Sequence, residues 1–261
     1  MNEKPKEPIT AVAELTFADA ELAKRFFQAI ERFTDEPIFH VLEDRITLRQ
    51  MDPSRVAMLD YVLEKHVFEE WDVHTLGTFC FDVAEILKVV FAKLSKDTKV
   101  TLFVDGKDGK ATFTLQDTRT RKRSISLLNP HIEEVPIPKV TYHARFKIIA
   151  KQWHEDIEDL CKLTDHVTLV GRSDLLKVLA TGDVIEGVNE YKLGGDLLLL
   201  AEANEECKAT YSLAYLKDVG VDPKLCDLAT LEFATDMPIK ITMRTQIGTL
   251  CHYLAPRIEV E

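Results

Sequence analysis

The sequence predicts an α+β fold in two similar halves, with short amphipathic helices set against antiparallel strands. Three observations lead there. Strand-like and helix-like stretches alternate along the chain, a proline-rich break sits near the midpoint, and the order of elements before the break starts again after it. The 261 residues are 46% hydrophobic and 30% charged, enough apolar material for two cores of ordinary domain size.

Residues 1–10 are polar, carry Pro5 and Pro8, and read as a flexible extension. Ala11 to Phe17 alternates apolar and polar side chains, as a strand with one buried face does. Asp19 is placed to cap a helix in which Leu22, Phe26, Ile30 and Phe33 form an apolar stripe. Lys24, Arg25, Gln28 and Arg32 occupy the opposite face. Strands are expected at Ile38 to Leu42, Arg45 to Met51, Val56 to Leu63 and Gly77 to Phe81. A second helix spans Val83 to Ser95, with Lys88 and Lys93 on its polar side. Val100 to Val104 and Ala111 to Leu115 flank Asp105-Gly106-Lys107-Asp108-Gly109, a hairpin signal. Its two aspartates lack the spacing and closing glutamate of a calcium loop. Arg121 to Leu128 is a further strand.

Between Asn129 and Pro138 three prolines fall within nine positions, so this stretch is an extended connector. The second half then opens with a strand at Tyr142 to Ile149 and a helix at Ala150 to Leu163, with Trp153, Ile157 and Leu160 on one face. Strands follow at His166 to Val170, Leu175 to Leu179 and Gly187 to Leu193, then a short helix from Leu213 to about Val219. The last strands cover Ala229 to Arg244 and Thr249 to Ala255. The division expected is 11–128, a connector at 129–140, and 141–261.

Composition narrows the function. No apolar run approaches the ~20 residues of a membrane span, and no apolar stretch follows the charges of Met1-Asn2-Glu3-Lys4-Pro5 as a signal peptide needs. A cytoplasmic protein is expected, nucleoid-associated in a prokaryote. Five scattered cysteines without a C-x-x-C pair fit reduced thiols better than disulfides or a zinc site. The net charge of −11 opposes a conventional nucleic-acid binder, although a ring can be acidic outside and basic within. Phosphate-binding glycine loops, G-x-S-x-G and H-E-x-x-H are all missing, so no enzyme, cofactor or metal is expected.

Three short stretches carry a family resemblance. They are Leu48-Arg49-Gln50-Met51-Asp52-Pro53-Ser54-Arg55-Val56-Ala57-Met58, the connector end Val135-Pro136-Ile137-Pro138, and Tyr253-Leu254-Ala255-Pro256-Arg257-Ile258-Glu259. With Asp236-Met237-Pro238-Ile239, and in this order, they resemble the proliferating cell nuclear antigen family of DNA sliding clamps, archaeal type, over residues 11–261. The resemblance implies two clamp domains with helices lining a ring hole and antiparallel sheets outside. Three such units would form a homotrimer or heterotrimer around double-stranded DNA, put in place by a clamp loader. The ring would tether DNA polymerase, flap endonuclease and DNA ligase as a processivity factor. A checkpoint-type or adaptor clamp subunit is the alternative, though such rings usually lose parts of the connector and C-terminal motifs.

Three groups of residues follow from the resemblance. A groove for partner peptides would use Met51, Arg55, Val56, Met58, Val135, Ile137, Pro138, Tyr142, Pro238, Tyr253, Ala255, Pro256 and Ile258. Read without the resemblance, these apolar residues simply pack loops onto sheets. Facing DNA would be Lys24, Arg25, Arg32, Lys88, Lys93, Lys151, His154, Lys162 and Lys217, contacting phosphates without reading sequence. The subunit interface would use two edge strands, through Arg121, Arg123, Ile125 and Leu127 on one and Val188, Tyr191 and Leu193 on the other. The basic run Arg119, Arg121, Lys122, Arg123 would steer toward Asp183, Glu186 and Glu190. One departure stands out. The helix at 150–163 carries Glu155, Asp156, Glu158 and Asp159, which fits either a mixed ring or acidic residues on solvated flanks.

Overall fold

The computed structural model describes residues 10–95, 97–129, 135–182, 184–218 and 220–258. The expected N-terminal extension lies almost wholly outside the described residues, as do 130–134 of the connector, Asp183, Val219 and Glu259. The chain divides into two compact units: Met1–Gln50, Asp60–Val135 and Gln246–Thr249 in the first, and Met51–Leu59, Pro136–Thr245 and Leu250–Glu261 in the second.

The first series of elements is β1 (Val12–Phe17), α1 (Ala20–Glu31), β2 (Ile38–Val41), β3 (Arg45–Met51), β4 (Ala57–Glu64), β5 (Phe68–Thr75), β6 (Gly77–Cys80), α2 (Val83–Val89), β7 (Lys99–Asp105), β8 (Lys110–Gln116) and β9 (Thr120–Ser126). The second is β10 (Ala144–Ile149), α3 (Ala150–Leu160), β11 (His166–Arg172), β12 (Leu175–Thr181), β13 (Glu186–Lys192), β14 (Leu198–Ala203), β15 (Cys207–Ser212), α4 (Leu213–Asp218), β16 (Leu228–Phe233), β17 (Ile239–Thr245) and β18 (Gly248–Leu254). Strand for strand and helix for helix, the two series match. The sheets repeat as well: β5-β1-β7-β8-β9 in the first unit has β14-β10-β16-β17 as its counterpart, and β6-β2-β3 has β15-β11-β12-β13.

Local chemistry explains the helices. Asp19 accepts a hydrogen bond from Leu22 N at 2.9 Å, and Asp82 one from Glu85 N at 3.0 Å, so each side chain satisfies an otherwise orphaned first-turn donor. The buried face of α1 is Ala20, Ala23, Phe26, Phe27, Ala29 and Ile30, while Leu22 and Phe33 are half-buried. The expected stripe was therefore rotated by part of a turn, because small alanines share the contact with Phe27. The second helix also stops earlier than expected, at Val89 rather than Ser95. There the Thr98 hydroxyl accepts from Ser95 N at 3.1 Å and bonds the Ser95 hydroxyl at 2.7 Å, an alternative to continued helix.

Each unit has its own core. In the first, Phe27 meets Phe91 at 5.4 Å and Phe81 at 6.0 Å, and Phe39 stacks on Phe79 at 4.8 Å. In the second, Phe146 stacks on Phe233 at 5.8 Å beneath Gly171, where a Cβ would sit 2.7 Å from the Phe146 ring. Three strands were not expected from sequence: β5, β14 and β15. No helix of the described residues is long and apolar enough to cross a membrane.

Candidate functional site

The loop between β3 and β4 is built around one carboxylate. Asp52, 8% exposed, accepts from Val56 N and Ala57 N at 2.7 Å, from Ser54 N at 3.0 Å and from the Tyr215 hydroxyl at 2.9 Å. Burial opposes its charge, yet the bonds from Ala57, Tyr215, Val56 and Ser54 outweigh burial and hold the carboxyl below its ordinary value. Arg55, at φ 58°, takes the left-handed conformation that reverses the chain. The loop thus comes folded in advance, with Pro53, Ser54 and Arg55 exposed and Val56 half-buried.

The second unit brings the motif stretches together. Ala255 N donates to Val56 O at 2.9 Å, tying the C-terminal stretch to this loop, and Arg257 N donates to Thr210 O at 2.7 Å. The turn before Pro238 is held by the Tyr211 hydroxyl, which donates to Met237 O at 2.7 Å. Every expected groove residue except Val135 belongs to the second unit. Their exposures divide them. Met58 and Tyr253 are buried, and so act as packing beneath the surface rather than as the open contact expected of them. Met51, Val56, Pro138, Tyr142, Pro238, Ala255 and Pro256 are half-buried, and Ile137 and Ile258 are exposed at 42% and 71%. The Tyr142 hydroxyl is buried without a hydrogen-bond partner among the described residues, and burial, with Tyr253 beside it, pushes its pKa up. A cavity of ≈ 360 Å³ lies alongside, lined by Lys139, Val140, Thr141, His143, Glu205, Ala234, Thr235 and Met237. Neither Asp52 nor Tyr215 was singled out as a site residue. The signal available was the Asp-Pro-Ser sequence, which favours a side-chain-closed turn.

Of the expected DNA-facing cations, Lys24, Arg25, Lys88, Lys151, His154 and Lys217 lie on solvent-accessible helical faces, while Arg32 caps the end of α1 and Lys162 follows α3. Lys93 lies in the turn after α2, since that helix ends at Val89. Several cations are paired on their own helix: Arg25 with Glu21 at 3.4 Å and Lys88 with Glu85 at 3.1 Å in the first unit. On α3 the pairing is denser. Lys151 meets Glu155 at 3.9 Å, His154 meets Glu158 at 3.8 Å, and Lys162, just past the helix end, meets Asp159 at 2.6 Å. The Asp159 carboxylate raises the pKa of Lys162. Lys24 is half-buried, while Arg32 and Lys217 are exposed. Asp156, the remaining acid, faces the protein and accepts from Gln152 Nε2 at 2.9 Å.

Both candidate interface strands are sheet edges, β9 beside β8 alone and β13 beside β12 alone. Two of their residues point elsewhere than expected. Arg121 is half-buried, bonded to Asp117 at 2.5 Å and to Lys93 O at 3.4 Å, so it closes its own unit. The Arg119 backbone N–H, with Arg121 beside it, lowers the Asp117 pKa against the cost of burial. Tyr191 is buried and turned toward α3. Arg123 is exposed, Ile125 and Leu127 are half-buried, and Val188 and Leu193 are exposed at 54% and 47%. Glu190 is held by Lys177 at 2.7 Å, which lowers its pKa, leaving Glu186 as the exposed acid of β13 without an ion pair among the described residues. Among the described residues no group of His, Cys, Asp and Glu side chains is placed to hold a metal ion.

Comparison with known proteins places these features in context. A family model described as proliferating cell nuclear antigen, N-terminal domain, matches residues 12–133. A DNA polymerase sliding clamp of Methanococcus maripaludis strain C5 is 34% identical over 242 residues, covering 90% of this chain and 95% of the relative. That of Pyrococcus furiosus is 29% identical over 244 residues, covering 92% and 97%. Among solved structures, the proliferating cellular nuclear antigen of Entamoeba histolytica superposes with a TM-score of 0.88 at 21% identity, over 95% of this chain and 100% of that one. The one from Thermococcus kodakaraensis gives 0.87 at 23%, over 94% and 100%. At these identities the two structures speak for the fold.

Proposed function

Since the chain belongs to the proliferating cell nuclear antigen family of sliding clamps, a family of processivity factors, we propose that it joins head to tail, with copies of itself or with sister clamp subunits, into a ring that encircles double-stranded DNA. The ring has no catalytic step of its own. It tethers DNA polymerase, flap endonuclease and DNA ligase near their substrate after a clamp loader has opened and closed it. The protein works in the cytoplasm, at the nucleoid. Residues 11–128 and 141–261 are its two clamp domains, and partners dock beside the connecting segment 129–140.

The observation that carries this reading is the repeat. Two series of elements in the same order place an edge strand with a single neighbour, β9, in the first unit and another, β13, in the second, among the sheet edges of the described residues. An edge in each half gives every copy two different free ends, and heterologous contacts of that kind close into rings when the rotation per copy divides a full turn. The helix cations supply weak, salt-sensitive phosphate contacts, which hold a duplex without stopping motion along it. In the second unit the Asp52 loop, Ile137, Pro238 and the 253–258 stretch supply a pre-shaped apolar surface for peptides. One aromatic side chain seated there contributes on the order of 2 kcal/mol. Retention of both the loop and the C-terminal stretch favours a replicative clamp over an adaptor.

Sedimentation of the purified chain across a concentration series, followed by loading onto closed circular DNA, tests the proposal. A discrete oligomer retained on the circle and lost on linearisation is the expected result. A chain that stays monomeric alone and with every sister clamp subunit of its source overturns it.

A further inference from the structure

The helix α3 is acidic where a phosphate-facing helix gains nothing from acids, and one of those acids is spent on the edge strand β13. The strand turns Glu186, Val188, Glu190 and Lys192 outward, and Gly187, Asn189 and Tyr191 toward the protein. Tyr191 is 3% exposed. Its ring lies 6.0 Å from that of Trp153 on α3, and its hydroxyl donates to Asp156 Oδ2. The other Asp156 oxygen accepts from Gln152 Nε2 at 2.9 Å, so the carboxylate is aimed by its own helix. Burial, together with the Asp156 charge and hydrogen bond, raises the Tyr191 pKa and keeps the donor protonated. Four residues earlier the strand presses on the end of the same helical segment. A Cβ on Gly187 would come 2.7 Å from Leu163 Cδ1 and 3.1 Å from Leu160 Cδ2.

An edge strand has a ladder on one side only, so its position rests on what its inner face touches. Here that face is fixed at two points, by close packing at Gly187 and by a charge-assisted hydrogen bond at Tyr191. We propose that Asp156 and Tyr191 are positioning residues for subunit assembly, holding β13 in the twist and height at which its free backbone edge receives a strand of the next copy. This rests on reading β13 as an assembly edge. It assigns Asp156 a role apart from DNA, and it identifies Tyr191 as an interface determinant that never touches the partner.

Three variants test it: Tyr191→Phe, which removes the donor, Asp156→Asn, which removes the charge of the acceptor, and Val188→Asp, which alters the outward face. Assembly is read by sedimentation over a concentration series, with any sister subunit the chain requires. Position is read by hydrogen exchange of the β13 amides in the isolated chain. Tyr191→Phe and Asp156→Asn should each raise the dissociation constant about 10-fold, the scale of a hydrogen bond to a charged group. They should also speed β13 exchange about 10-fold while β11 and β16 stay protected, a pattern that general destabilisation does not produce. Combining the two should add little to either. If Val188→Asp disrupts assembly while the other two variants assemble and exchange like wild type, the positioning role is wrong and the edge reading stands. If Val188→Asp assembles normally, the edge reading itself fails and the proposal falls with it.

Discussion

At the scale of single residues, one buried carboxylate organises the loop proposed to receive partners. Asp52 serves three backbone amides and the Tyr215 hydroxyl. Its charge is therefore part of the loop's stability. A carboxyl with a lowered folded pKa stabilises the fold above its unfolded value, and that contribution is lost as pH falls through the folded value. The ordinary value is 3.8, so the stabilisation is complete at neutral pH and disappears only in acid below it. Asp52→Asn should cost about 1–3 kcal/mol at pH 7. The gap in thermal midpoint between variant and wild type should then close below about pH 4. Parallel midpoint curves down to pH 3 would show that the charge does not matter. The same variant should bind a glutamine- and aromatic-bearing peptide about 10-fold more weakly by calorimetry, because the loop must then be ordered on binding. The sequence made the apolar partners of this site visible, since Met51, Ile137 and Pro238 stand out in turns. It hid Asp52 and Tyr215, whose 163-residue separation only the fold bridges.

At the scale of elements, periodicity revealed the strands with one clearly apolar face and lost those without. The strand β5 reads Phe-Glu-Glu-Trp-Asp-Val-His-Thr, and as the edge of its sheet it can leave Glu69, Glu70, Asp72 and His74 in solvent. β14 opens Leu-Leu-Leu-Ala, a run that does not alternate, and β15 is short and mixed. The end of α2 was misjudged for a different reason, the Ser95–Thr98 hydroxyl pair overriding an apolar spacing that continued to Leu94. On α3, pattern alone could list acids but not say which were committed. Lys151 and Lys162 each have an acid within reach, and phosphates must compete with it. Glu155→Gln and Asp159→Asn should free those lysines. The slope of log affinity for duplex DNA against log salt should steepen by about one for each lysine that gains a phosphate. Identical slopes for wild type and double variant would put this face of α3 away from the duplex.

At the scale of the whole molecule, a ring and a filament are the two assemblies open to a head-to-tail chain. Head-to-tail contacts through two unlike edges satisfy both, and only the rotation per copy decides. Cross-linking separates them. A variant with Ser124→Cys on β9 and Val188→Cys on β13 carries one exposed thiol on each edge. The native background is favourable: Cys80, Cys207, Cys226 and Cys251 are buried, and burial pushes Cys80 and Cys226 up to about 12, far from a reactive thiolate. Cys161, half-buried, is replaced by serine. Treated with a short bis-maleimide, a ring gives a ladder that stops at one closed species with no edge thiol left, whatever the protein concentration. A filament gives a ladder that lengthens with concentration and always keeps free ends. Closed species loaded on a covalently closed plasmid should survive about 1 M salt, where the screening length falls to ~3 Å and phosphate contacts no longer hold. They should leave when the plasmid is cut once. Loss from the intact plasmid at high salt would mean that the chain grips DNA by charge rather than by enclosure. For a protein of net charge −11 that outcome would require a basic face which the paired lysines of α3 do little to supply.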